Sequence, residues 1–155
     1  MNALPVHPEP PVLSPVEGVE GEFQWPIRVY WEDTDAGGIV FYANYLKFFE
    51  RARTEWLRGL GIGQQALRDA TGGMFVVSDA QLKYLQTSRL DDELLVTAGL
   101  MESGRASLTI TQRALKINSN SDNTLLCQGT IRIGWVDATT MKPQRIPQAV
   151  LEALK

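Results

Sequence analysis

Residues 28–60, RVYWEDTDAGGIVFYANYLKFFERARTEWLRGL, change their apolar period part-way, and that change restricts what the chain can fold into. Up to Glu32 the period is 2: Trp25, Ile27, Val29 and Trp31 alternate with Arg28, Tyr30 and Glu32, the pattern of a half-buried strand. From Asn44 onward Tyr45, Phe49, Ala52, Trp56 and Leu60 recur three or four residues apart, on one helical face. Leu46, Phe48 and Leu57 widen that face, so the helix needs a sheet that curves around it. Gly59 and Gly61 mark its C-terminus. Between the two patterns lie Glu32, Asp33 and Asp35, followed by Gly37 and Gly38, where the backbone can turn and be approached closely. A strand thus delivers carboxylates to the mouth of a helix, beside backbone N–H groups with no partner in the helix, which makes this junction the candidate active site.

The remaining chain reads as helix, then strands. Gln64–Ala70 is expected to form a short helix closed by Gly72 and Gly73. Strands are expected over 74–86 (Ala80, Leu82 and Tyr84 on one face), 94–101, 106–117 and 125–136, joined by the charged loop 88–93, the Ser103-Gly104 turn and the polar loop 118–123. Within 106–117, Leu108 and Ile110 have one parity and Leu115 and Ile117 the other. A bulge near Gln112 or a change of covering layer would reconcile them. Pro143 and Pro147 precede a short helix over 148–154. The sum is an α+β fold, a long helix packed on an antiparallel sheet. Residues 1–22, with Pro5, Pro8, Pro10, Pro11 and Pro15, read as a flexible tail ahead of a single domain over 23–155.

Scarce residues exclude more chemistry than abundant ones suggest. The one histidine, His7, lies in the tail, so a Ser-His-Asp or Cys-His site within one chain is nearly excluded, as are most zinc sites. The one cysteine, Cys127, falls in register with Leu125, Ile131, Ile133 and Trp135 and reads as a buried apolar residue. With a net charge of −3 and no basic run, nucleic acid is not an expected partner. No apolar stretch reaches the ~20 residues of a membrane-spanning helix, and no basic, apolar leader is evident, so a cytoplasmic protein is expected. Hydrolytic chemistry must rest on carboxylates, hydroxyls or backbone groups.

The segment EDTDAGGIVFYANYLKFFERARTEWL (32–57), with FVV (75–77), RLDDEL (89–94), TQR (111–113) and VDATTMKPQRIP (136–147), resembles the hotdog-fold acyl-CoA thioesterases of the 4-hydroxybenzoyl-CoA thioesterase type, and within them the bacterial Tol–Pal-associated branch. The resemblance covers residues 23 to about 150, and D-x-D-x-G-G-x-V followed by an aromatic helix is its most specific part. It implies a hotdog fold, one long central helix wrapped by a curved five-stranded antiparallel sheet. It also implies hydrolysis of a short-chain acyl-CoA or aroyl-CoA to free acid and coenzyme A. Asp35 matches the catalytic aspartate, and Tyr42 the position whose backbone N–H polarises the thioester carbonyl. Gly38 joins them as a substrate-binding residue. The Tol–Pal-associated branch carries histidine where Tyr42 stands and the 4-hydroxybenzoyl-CoA branch tyrosine, which leaves short acyl and aroyl substrates both open. No cofactor or metal is implied, coenzyme A being part of the substrate. The family forms homodimers and homotetramers with sites between subunits, and acyl-carrier protein is a further candidate partner.

Thioester hydrolysis needs an oxygen nucleophile and donors for the charge that develops on the carbonyl oxygen. The first turn of the long helix offers such donors and the positive end of a macrodipole. A carboxylate can attack directly, giving an acyl–aspartyl anhydride, or can take a proton from water. Aspartate is ordinarily a weak base at neutral pH, which favours attack and leaves the water route open. Several residues have plainer readings. Asp33 reads as a turn or salt-bridge residue, and Glu50 and Arg53 as a surface pair one turn apart. Phe75 and Val76 could line the acyl pocket or fill a core strand. Lys83, Arg89 and Arg105 are candidates for the nucleotide phosphates by charge alone. The rival class is a non-catalytic module binding acyl-CoA or acyl-carrier protein in envelope lipid metabolism. A hotdog dehydratase would need the histidine that the domain lacks.

Overall fold

A computed structural model describes residues 21–119 and 122–155. Except for Gly21 and Glu22, the proline-rich tail lies outside the described residues. Five strands, β1 (Phe23–Arg28), β2 (Gly73–Tyr84), β3 (Glu93–Ser103), β4 (Ser107–Ile117) and β5 (Asn123–Asp137), form one sheet in the order β1-β3-β4-β5-β2. Every pairing is antiparallel. Hairpin-length turns join β3 to β4 and β4 to β5, whereas β2 crosses to the far edge and pairs with β5. The long helix α1 (Asn44–Gly59) packs against β1, β3 and β4, and α2 (Gln64–Thr71) against β2. A short α3 (Gln148–Ala153) closes the described chain.

The core lies between α1 and one face of the sheet. Phe48, Phe49, Ala52 and Leu57 meet Ile27, Val96, Ala98, Leu108 and Ile110, all buried. Burial of each large side chain contributes roughly 1.5–3 kcal/mol. The apolar face of α1 is narrower than its sequence suggests: Leu46 and Leu60 are exposed and Trp56 is half-buried. The opening strand is also shorter. It ends at Arg28, and Trp31 lies exposed in a 3₁₀ turn, Trp31–Asp33, because the Asp33 carboxylate takes the Tyr30 N–H at 2.8 Å and bends the chain.

The parity change in β4 needs no bulge at Gln112. Leu108, Ile110, Gln112 and Ala114 keep one face, all buried, while Leu115 and Ile117 occupy the other face with Leu95 and Leu125. The change of covering layer is therefore the correct alternative. The irregularity lies in β5, where Ala114 pairs with Cys127 but Leu115 pairs with Leu125. The extra residue, Leu126, enters the main core beside Cys127, and Leu125 is turned away from Cys127.

Gln112 is a polar residue at a core position, and its partners explain it. The β3–β4 ladder runs to Val96↔Ala114 and resumes at Gly99↔Thr111. In the interval the Gln112 side-chain amide donates to the Thr97 carbonyl at 3.1 Å and the Phe49 carbonyl at 3.0 Å. Its oxygen accepts from Arg53 at 2.9 Å. Arg53 is thus buried against the sheet rather than paired with Glu50 at the surface, and burial pulls its pKa down, with Glu50 opposing. Each buried donor and acceptor here has a partner, the condition for such a group to be tolerated. The network fastens the middle of α1 to β3 and β4.

Candidate active site

The junction between β1 and α1 folds as a pinned reversal. Val29 is held to the β3 approach by two backbone bonds, its N–H to Asp92 and its carbonyl from Asp91, each 3.0 Å. Asp33 is buried, and its carbonyl accepts the Phe41 N–H and the Asn44 side chain, both at 2.9 Å. Its role is that of a turn residue. Thr34 then bridges Val40, the Asp35 N–H donates to Ile39 at 2.9 Å, and Gly38 adopts φ +81°, a conformation that favours glycine. On the outer side Ile39 bridges Arg89 and the Val40 N–H donates to Ser88 at 2.9 Å. The reversal is therefore fixed to the loop before β3.

Asp35 projects from this reversal into solvent. One carboxylate oxygen accepts the Gly37 N–H at 2.8 Å, and among the described residues the other has no partner. At the head of α1 the N-cap residue is Ala43, which supplies no side-chain cap, and the first turn holds no acidic residue. Among the described residues neither the Tyr42 nor the Ala43 N–H has an acceptor. Helices ordinarily carry Ser, Thr, Asp or Asn at this N-cap position, where a side chain would crowd the two open amides. Open amides at the positive end of a 16-residue helix form a ready site for an oxygen carrying developing negative charge.

The aromatic side chains around that helix head interlock. The Tyr42 ring is exposed and meets Phe41 and Tyr84 edge-on, at 4.9 and 5.9 Å. Tyr84 also meets Tyr45 at 5.9 Å, and its hydroxyl donates to the Tyr42 carbonyl at 3.0 Å. Tyr45 is buried with its hydroxyl 2.8 Å from that of Ser88; burial pushes its pKa up and the Ser88 bond partly offsets this. Burial likewise raises the Tyr84 phenol.

The eight site candidates separate into two groups within one chain. Asp35, Gly38 and Tyr42 share the reversal and the helix head; Arg89 bridges that reversal, and Lys83 adjoins Tyr84, both with exposed side chains. Phe75 and Val76 lie towards the other end of β2, ~25–30 Å along the strand from Tyr84 at roughly 3.3 Å per residue. Phe75 packs edge-on against Trp135 at 4.9 Å. Arg105 is at that end too: its carbonyl accepts the Ile146 N–H at 2.8 Å, and neighbouring Ser107 pairs with Gly134, the partner of Val76. Sequence reasoning missed Ala43 and Tyr84. Ala43 had a signal, a non-capping residue where a cap belongs. The reach of Tyr84 to Tyr42 spans 42 positions and had none.

Residues 29–154 match the family model described as the thioesterase-like superfamily. The chain belongs to that superfamily. The thioesterase-like chain is 42% identical over 133 residues to the acyl-CoA thioester hydrolase YbgC of Escherichia coli O6:H1, spanning 86% of this chain and 96% of that protein. It is 41% identical over 136 residues to the acyl-CoA thioesterase YbgC of Haemophilus influenzae, spanning 87% and 96%. Among solved structures, a 4-hydroxybenzoyl-CoA thioesterase mutant complexed with 4-hydroxybenzoyl-CoA superposes with a TM-score of 0.81 at 17% identity, over 86% of this chain and 99% of that one, a likeness of fold. A protein from Aquifex aeolicus gives a TM-score of 0.77 at 32% identity, over 86% and 99%. The α+β hotdog expectation is borne out. No described helix is long and apolar enough to cross a membrane.

Proposed function

We propose that this thioesterase-like protein hydrolyses the thioester of short-chain acyl-CoA or aroyl-CoA, releasing the free acid and coenzyme A. The reading is carried by one juxtaposition: a carboxylate with a bare oxygen and two uncapped amides, on the two limbs of a single pinned reversal. The thioester carbonyl oxygen takes the Tyr42 and Ala43 amides. An Asp35 oxygen attacks the carbonyl carbon, the C–S bond breaks, and the thiolate leaves to be protonated by solvent. Water then cleaves the acyl–aspartyl anhydride and restores the carboxylate. If Asp35 instead acts as general base, water attacks in one step and Asp35 returns the proton to the leaving sulfur. Gly38 leaves room for the acyl group, since a Cβ there would meet nothing within 4 Å. The names of the YbgC relatives support the substrate class, and a coenzyme A thioester as substrate would suit a cytoplasmic site of action.

The reading also calls for more than one copy. β2 is an edge strand whose residues Val77 to Gln81 are exposed, and such edges are usually covered. An antiparallel pairing of two β2 strands centred on Asp79 would set Phe75 of one copy opposite Lys83 of the other. The two separated groups of site residues would then meet. A monomeric mass by light scattering would remove this part.

The test is thiol release from a panel of acyl-CoA and acyl-carrier-protein thioesters, acetyl to palmitoyl with benzoyl included. Asp35→Asn is expected to lower turnover ~10²–10⁴-fold while leaving Tm unchanged. Turnover that survives the substitution removes Asp35 from the chemistry. Binding without turnover in the wild type favours the non-catalytic module. ¹⁸O-water bears on the two routes: label found in Asp35 after repeated turnover supports an anhydride opened at its aspartyl carbonyl, and an acyl–Asp35 adduct trapped by rapid quench supports one opened at the acyl carbonyl.

A further inference from the structure

Tyr84 ends the edge strand β2 and reaches the head of α1, where its hydroxyl donates to the Tyr42 carbonyl at 3.0 Å. The ring is wedged edge-on between Tyr42 and Tyr45, at 5.9 Å from each. Tyr45 is itself immobilised by burial and by the Ser88 hydroxyl at 2.8 Å. Among the described residues the Tyr42 carbonyl has one other donor, the Tyr45 N–H, at a long 3.4 Å. The phenol is thus the closer of the two, so the Tyr42 carbonyl is held more closely from outside than by its own turn of helix. In a trans peptide the carbonyl and the following N–H point in opposite directions. Fixing the Tyr42 carbonyl therefore fixes the aim of the Ala43 N–H, one of the two open amides. No side-chain cap at position 43 performs that task.

We infer that Tyr84 is a positioning residue for thioester hydrolysis, aiming the open amides at the head of α1 by holding the Tyr42 carbonyl. This rests on the thioesterase reading above. Tyr84 touches no reacting atom in this scheme. Its effect is felt where the amides matter most, on the oxygen charge that develops in the transition state, so it acts on kcat rather than on substrate binding. Burial raises the phenol pKa, so the donor is present at neutral pH.

The experiment compares the full-length wild type with Tyr84→Phe, which keeps the ring and removes the hydroxyl, and with Tyr84→Leu, which removes both. Two measurements are made: thiol release across the acyl-CoA panel, and amide hydrogen exchange of residues 42–46. Tyr84→Phe is expected to lower kcat about fivefold with KM unchanged, ~1 kcal/mol on the barrier at 1.36 kcal/mol per decade. Exchange in residues 42–46 is expected to quicken while the rest of α1 keeps its protection. Tyr84→Leu should add a loss of Tm, which Tyr84→Phe should not show. An active wild type with Tyr84→Phe at full kcat overturns the inference, as does unchanged exchange. A wild type inactive on the whole panel refutes the thioesterase reading instead. Faster exchange in Tyr84→Phe would still show the hydroxyl holding the helix head.

Discussion

Replacing Gln112 with leucine strips a core position of three hydrogen bonds while nearly conserving its volume. The bond from Arg53, at 2.9 Å, is charge-assisted and contributes roughly 2 kcal/mol, and those to Phe49 and Thr97, at 3.0 and 3.1 Å, contribute roughly 1 kcal/mol each. The Phe49 carbonyl keeps its helical partner, but Thr97 faces the gap in the β3–β4 ladder and Arg53 is left charged and buried. The expected loss is therefore about 4–5 kcal/mol, much of a domain's usual 5–15. In urea, at a slope near 2 kcal/mol/M, the midpoint should fall by about 2 M. The informative companion is Arg53→Met with Gln112→Leu, in which no charge is orphaned. Apolar replacement of a complete buried polar set is often neutral or better, so the double variant should recover at least ~2 kcal/mol of the single variant's loss. Both curves are taken at one protomer concentration, because association would shift them. A single variant within ~1 kcal/mol of wild type, or a double variant no more stable than the single, would refute the account of Gln112 as the tie between α1 and the sheet.

Two further outcomes follow from packing and burial. A Cβ at Gly129 would lie 2.2 Å from the Gln81 carbonyl oxygen, a backbone atom of the paired strand, so Gly129→Ala should cost ~3 kcal/mol or more; an unchanged Tm would contradict the β2–β5 register. Burial pushes the Cys127 thiol from 9.0 up to about 12, so below pH 9 it is protonated folded or unfolded and adds no slope. Above that the unfolded chain loses the proton first, and stability falls as pH rises towards 12. Cys127→Ala should flatten that alkaline limb, and an equally steep limb in the variant would refute the assignment.

What the sequence disclosed and what it hid follow from the range of each interaction. The bounds of α1 and α2, the turn at Gly72 and the strands lie within a few residues of expectation, because periodicity and turn chemistry act over short spans. Trp31 failed the same test: the alternation continues through it, but a local carboxylate–amide bond from Asp33 outweighs the pattern. Leu125 failed because a single extra residue in β5 reverses which side of the sheet it faces. Arg53 stands one helical turn from Phe49, on the apolar face, so its position already argued against a surface pair. What made burial tolerable was Gln112, 59 positions away. At the candidate site Asp35 and Gly38 were legible as a motif, whereas the separation of Phe75 and Val76 from them depends on the length of β2.

The helix head departs from local rules where its surroundings are most constrained. An uncapped N-terminus is destabilising by ~1 kcal/mol relative to serine or aspartate, and local conflicts of this kind gather at functional sites. A cap at position 43 would turn its oxygen towards the Tyr45 and Leu46 amides and occupy space beside the Tyr42 and Ala43 donors. An aspartate there would also add negative charge where a substrate oxygen must gain it. Stability has to come from groups that leave this space empty. Arg53 and Gln112 hold the middle of α1 from the sheet side, Asn44 ties its first residue to Asp33, and Tyr84 reaches the last carbonyl before the N-cap. Each of these anchors approaches from the protein side and leaves the two amides open. A helix so restrained behaves as a rigid mount, and a rigid mount lets bare dipoles stabilise a transition state without reorganising during the reaction.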